Sequence, residues 1–106
     1  MVNSQDIFAE KYSEIIKLRG MLEAENIPFE FQFLSDLLGF QLSYPKSGDG
    51  RVCSVIEHAF SYGNKDNLLE IMGLLTDEEM EYDSVVGFLN AENVFERIKK
   101  AESEKV

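Results

Sequence analysis

Cys53 and His58 are the only thiol and the only imidazole in the chain, so a cysteine–histidine nucleophile would have to use both. They lie in the run Val52 to Ala59, whose apolar content reads as a β-strand. Successive strand side chains point to opposite faces, so their odd offset separates thiol from imidazole unless a bulge changes the parity. The pair reads as a small buried thiol and a histidine at the sheet surface or rim. One Cys and one His also fall short of the ligands of a structural zinc site.

Carboxylates offer more. Between Asp66 and Glu96 there are nine acidic side chains and no Lys or Arg, and five of the nine fall within Asp77 to Asp83. Asp77, Glu79, Glu81 and Asp83 alternate like the oxygen ligands of a calcium loop. Tyr82, however, stands where the turn glycine is needed, and Phe88 where the bidentate glutamate belongs. No metal site and no cofactor is expected. Asp77, Glu78, Glu81 and Asp83 remain as a candidate acidic interaction surface. Its potential would repel a phosphate backbone or an anionic headgroup, which argues against direct binding of nucleic acid or membrane.

Asp49 and Glu57 are candidate acids of a divalent-metal nuclease, whose core also places three strands after a helix. The strand continues Glu57-His58-Ala59, without the lysine expected two places on. Double-stranded RNA-binding modules share the same order of elements, but their basic loop and basic helix start are missing.

Twenty acids against ten bases give a net charge of −10, which fits either a generally acidic protein or a dedicated acidic surface. The 106 residues suit one domain, and 44% hydrophobic residues with eight Phe exclude disorder. A lone cysteine rules out an internal disulfide. The polar start Met-Val-Asn-Ser-Gln-Asp does not read as a signal peptide, and no apolar run reaches the ~20 residues of a membrane span. A cytoplasmic protein is the expectation.

These side chains need elements to hold them. Phe8, Tyr12, Ile15, Leu18 and Leu22 recur at helical spacing over Ile7 to Glu25, with Ser4 or Asn3 as cap and Asn26-Ile27-Pro28 as stop. After Pro28 the period becomes two. Phe29, Phe31 and Phe33, then Phe40, Leu42 and Tyr44, alternate with polar residues, which predicts two half-buried strands joined by Ser35 to Gly39. Pro45 ends the second, Ser47-Gly48-Asp49-Gly50 reverses the chain, and Val52 to Ala59 is the third, more apolar strand. An α+β fold follows: an N-terminal helix on a three- or four-stranded antiparallel meander, with short helices in the C-terminal third.

In that third, Leu68, Ile71, Met72 and Leu75 have helical spacing, with Asp66 at the start and Gly73 as stop, although short apolar runs also fit a buried strand. Thr76 to Glu79 has the spacing of a capping box. Val85 to Leu89 reads as a fourth strand. Asn90 caps a last helix in which Val94, Phe95 and Ile98 face inward, Leu89 and Val94 hold the staple positions, and Ala101 to Val106 frays. Phe60 and Tyr62 fit an exposed recognition pair, but aromatics at a strand end more often belong to the core or its rim. Gly63 reads as a positive-φ turn.

The stretches Ser61-Tyr62-Gly63-Asn64, Leu68 to Leu75 and Val85-Val86-Gly87-Phe88-Leu89 resemble small uncharacterised proteins encoded by phages and prophages of low-GC Gram-positive bacteria. The resemblance covers roughly residues 20 to 100. It implies a bacterial cytoplasm and a phage-related origin, and it supplies no activity or site residue.

Every catalytic constellation fails on residue count or geometry, while a meander leaves an open strand edge. The expected function is therefore non-enzymatic binding of another protein, a second copy of the chain included. The alternative is an acidic inhibitor that imitates nucleic acid in the groove of a host DNA-binding enzyme. If Phe29, Phe31 and Phe33 share a buried face, Phe31→Ala should cost roughly 3–5 kcal/mol and Glu30→Ala well under about 1.

Overall fold

The computed structural model describes residues 11–105. Five strands follow one another as an antiparallel meander, in the spatial order of the sequence: β1 (Glu30–Leu34), β2 (Gly39–Tyr44), β3 (Cys53–Glu57), β4 (Leu69–Met72) and β5 (Val85–Leu89). Helices α1 (Ser13–Ala24) and α3 (Ala91–Ser103) pack on each other and on one face of the sheet, and a short α2 (Asp77–Tyr82) joins β4 to β5. The fold is α+β as expected, with five strands and not three or four.

The extra strand is Leu69–Met72, where helical spacing predicted a helix with Gly73 as its stop. Leu69 and Ile71 are buried and Glu70 and Met72 are not, so the same residues also carry a period of two. Neighbours decided between the periods: β3 pairs with β4 on one side and β5 on the other, satisfying backbone groups that a helix would have satisfied alone. Asp66 ends a 3-10 turn (Asn64–Asp66) in place of starting a helix. Gly73, at φ 96°, is the turn leaving β4, where a Cβ would overlap the Val52 carbonyl oxygen.

Tyr12, Ile15, Leu18 and Leu22 of the first helical stripe are buried as expected, while Phe8 and the Ser4 or Asn3 cap lie outside the described residues. They pack with Val94 and Ile98 over Leu42, Tyr44, Val55, Leu69 and Ile71. Asn90 caps α3 and exchanges a reciprocal capping box with Asn93. The helix runs on through Ser103, past Ala101 where fraying was expected, and Glu102 accepts a 2.5 Å hydrogen bond from the Tyr44 hydroxyl.

The three phenylalanines of the first strand do not share one burial. Phe31 is half-buried, stacked on Phe40 at 5.0 Å beneath the Arg19 guanidinium. Phe33 is 52% exposed, its ring meeting the edge of Phe40 at 5.4 Å. β1 is an edge strand, with no strand of the described residues on the outer side of Phe33. On the opposite face Gln32 donates to Gln41, and Gln41 to Ser54, a polar ladder across three strands. Among the described residues no helix is long and apolar enough to cross a membrane.

The burial redistributes the expected costs. Leu42→Ala, with no exposed surface to lose, should destabilise by roughly 2–5 kcal/mol, and Phe31→Ala by less than the loss expected of a fully buried Phe. Phe33→Ala should cost under about 1 kcal/mol. Urea denaturation of the three variants measures the order; a loss at Phe33 equal to that at Leu42 would contradict the packing.

Candidate functional site

The structure separates the residues that enzyme chemistry would need. Cys53 lies in the core at the start of β3, and burial pushes its thiol up to about 12, so no thiolate is available near neutral pH. His58 follows the other end of that strand, where its Nδ1 accepts the Phe60 amide at 3.1 Å. Asp49 sits in the exposed β2–β3 loop, beyond the Tyr44–Cys53 end of the hairpin, with Glu57 at the opposite end of β3. They cannot hold one ion between them. No group of three His, Cys, Asp or Glu among the described residues has metal-binding geometry.

The acidic run is divided by a structural task. Thr76 and Glu79 form the expected capping box of α2, and Arg97 grips both oxygens of Glu79 at 2.7 and 2.8 Å while also donating to the Leu74 carbonyl. That fork, with the Thr76 amide, lowers the Glu79 carboxyl to about 2. Asp77, Glu78 and Glu81 fall within about 100° of the helix circumference, away from Glu79, and Asp83 caps the end. All four are exposed. α2 is only ~9 Å long at 1.5 Å per residue, so these charges form a compact knob and not an extended row.

A second exposed surface lies toward the far end of β5. Phe60 is 76% exposed, Tyr62 56% and Phe88 62%, against the core or rim position favoured for the first two. Their backbone is nonetheless fixed. Ser61 is buried and its hydroxyl bonds both the amide and the carbonyl of His58; the Tyr62 amide donates to Glu70, and the Phe88 amide to the Tyr62 carbonyl. Two glycines permit this contact. A Cβ on Gly87 would overlap that of Tyr62, and one on Gly63, at φ 94°, would stand 3.0 Å from the Phe88 nitrogen. Phe88 itself takes φ 60°, a conformation costing an L-residue roughly 1–2 kcal/mol. β4 and β5 shift register beside it, between Leu69 and Ile71. The result is three exposed rings, Tyr62 and Phe88 on backbone joined by these contacts and Phe60 beside His58 with ring centroids 6.5 Å apart, together the ledge of this loop and strand.

Glu57 is the third unusual residue. It shares the parity of Cys53 and Val55, so its side chain enters the helix-covered face, with no exposed surface and, among the described residues, no hydrogen-bond partner for either oxygen. Burial dominates and raises its carboxyl to about 7; the Lys11 ammonium and the nearby Ile15 amide, which lies outside hydrogen-bond geometry, pull the other way, and Glu14 adds to the rise. Glu57 in turn helps raise the Tyr12 phenol, behind the larger effect of burial, while the Tyr12 hydroxyl donates to Leu38.

Comparison of the chain with protein-family models, with curated proteins and with solved structures returns no match. The site therefore rests on its own geometry. Of the acidic candidates, Asp77, Glu78 and Glu81 lie on α2 and Asp83 is its C-cap. The ledge was missed because aromatics near a strand end ordinarily pack inward, though the glycines beside Tyr62 and Phe88 were a legible sign of close backbone approach. The burial of Glu57 was legible in the parity of Cys53, Val55 and Glu57.

A raised carboxyl gives stability an unusual pH slope. Below about 4.5 Glu57 is neutral whether folded or unfolded, and as pH rises toward about 7 only the unfolded chain releases the proton, so stability falls and then levels. Glu79, lowered to about 2, acts in the other window: its contribution is complete above about 4.5 and is lost in more acid solution. Glu57→Gln should remove the first slope, so its stability relative to the unmodified protein should grow between pH 5 and 7.5 by about 2 kcal/mol. Urea denaturation across that range tests it; parallel curves would show that Glu57 does not titrate with folding.

Proposed function

We propose that this chain is a non-enzymatic protein-binding module of the bacterial cytoplasm, with the ledge of Phe60, Tyr62 and Phe88 as its contact surface. The observation that carries the reading is the exposure of three aromatic rings on a backbone held by glycine contacts and hydrogen bonds. Aromatic anchors lose little conformational entropy on binding and dominate the energetics of many interfaces. A fold that spends backbone strain at Phe88 to hold a ring in water is consistent with selection for contact and not for stability. Imitation of nucleic acid draws less support, because the exposed carboxylates of α2 are gathered into a knob about 9 Å long.

Affinity capture from a bacterial lysate with the unmodified protein and with a Phe60→Ser/Phe88→Asn variant tests the reading. Asn tolerates the positive φ at position 88, so the ring is removed while the backbone is kept. Proteins retained by the first and lost by the second are expected; light scattering then shows whether a doubled mass, a second copy of the chain, accounts for them. Identical capture by both would remove the ledge from the function. Turnover of hydrolase or nuclease substrates with Mg²⁺ or Mn²⁺ that is abolished by Glu57→Gln or Asp49→Asn would overturn the non-enzymatic reading.

A further inference from the structure

Resting on that reading, we infer that the ledge takes an extended cationic segment of a protein partner, with Arg or Lys side chains on its rings and further cations along the carboxylates of α2. The rings are the first reason. A guanidinium or ammonium within about 6 Å of a ring centroid is attracted to the negative π face. Elsewhere in this fold that attraction is used internally: Arg19 lies over Phe31, Lys99 over Phe95 and Lys105 over Tyr44. Among the described residues no Lys or Arg lies over Phe60, Tyr62 or Phe88, and the His58 ring meets Phe60 edge-on at 6.5 Å.

The surrounding charge is the second reason. Between Val52 and Glu96 Lys65 is the single Lys or Arg, with His58 the one imidazole, against ten acids. Lys11 reaches the same loop but is held by the Asn64 carbonyl. Asp77, Glu78, Glu81 and Asp83 are exposed and free of the Arg97 fork that neutralises Glu79. A segment offering anions or only apolar side chains would leave these carboxylates unmatched or repelled.

The spacing is the third. β5 is an edge strand, with α2 leading into one end and the ledge at the other. Phe88 stands five positions after Asp83, about 17 Å along a strand. A six-residue extended peptide reaches ~20 Å, enough to touch both. Charge attraction at the knob brings the segment in, and the rings hold it where salt screens the knob.

Calorimetric titration with a capped hexa-arginine peptide is the test, with capped hexaglutamate as control and salt at two concentrations. Hexa-arginine should bind and hexaglutamate should not. Phe60→Ser/Phe88→Asn should weaken binding about tenfold at the higher salt, where the ring contribution dominates. Asp77→Asn/Glu81→Gln should chiefly flatten the salt dependence. Amide chemical shifts of the unmodified protein supply a readout that needs no variant: Tyr62, Gly63 and Phe88 should move on titration. Binding of equal strength with and without the rings, or shifts confined to α2, would reduce the attraction to bulk charge and overturn the inference. If lysate capture still depends on the rings while hexa-arginine ignores them, the cationic partner fails and the binding module stands; if neither depends on them, both fail.

Discussion

One side chain from each strand, Phe31, Leu42, Val55, Ile71 and Val86, meets its neighbours in register across the whole sheet, and the rest of the fold depends on that row. A slip of one residue in any strand would turn its apolar set toward the polar ladder of Gln32, Gln41 and Ser54. The row also sets where the helices go. Ile15, Leu18 and Leu22 from α1 and Val94 and Ile98 from α3 close over it, and the two helices then tie to each other through the Glu14 carboxylate, which accepts the Ala91 amide at the start of α3. A capping group for the last helix thus comes from the first.

The same register carries Glu57 inward. It stands opposite Phe40 on the helix-covered face, one row from Val55, and parity allows it no other direction. A buried carboxyl with no hydrogen-bond partner among the described residues is there an electrostatic liability that grows as it ionises, while Lys11 and the Ile15 amide relieve it only in part. Arg97 shows the opposite treatment of charge. Its fork on Glu79 and its bond to the Leu74 carbonyl secure the β4–α2 turn, where Gly73 and Leu74 both take positive φ.

Where the row ends, at the edge of β5, the constraint relaxes and the surface becomes available for contact. The register shift between β4 and β5 and the paired glycines Gly63 and Gly87 let the β3–β4 loop lie against β5 with its rings outward. The edge strand β5 thus carries exposed aromatic residues at one end and the acidic helix α2 at the other.

Much of the fold was legible in the sequence because its signals were local. The stripe of Tyr12, Ile15, Leu18 and Leu22, the second strand through Phe40, Leu42 and Tyr44, the Thr76–Glu79 capping box and the Asn90 cap each depend on neighbours within a few residues and each forms as read, although Ser43, expected toward water, is buried. The acidic run was legible as composition, but its gathering on α2 came with the structure. Leu69–Met72 was not, because those residues satisfy both periods and only β3 and β5, brought alongside by the rest of the chain, favoured the strand. Phe33 keeps its alternation yet stays half in water, since burial at an edge strand depends on how far a helix reaches. Phe60, Tyr62 and Phe88 were decided later still: whether a ring faces core or solvent here is fixed by a backbone contact between a loop and a strand some 25 residues away. Local spacing determines which elements form, but burial and approach are properties of the assembled pair, and only the tertiary structure brings the pair together.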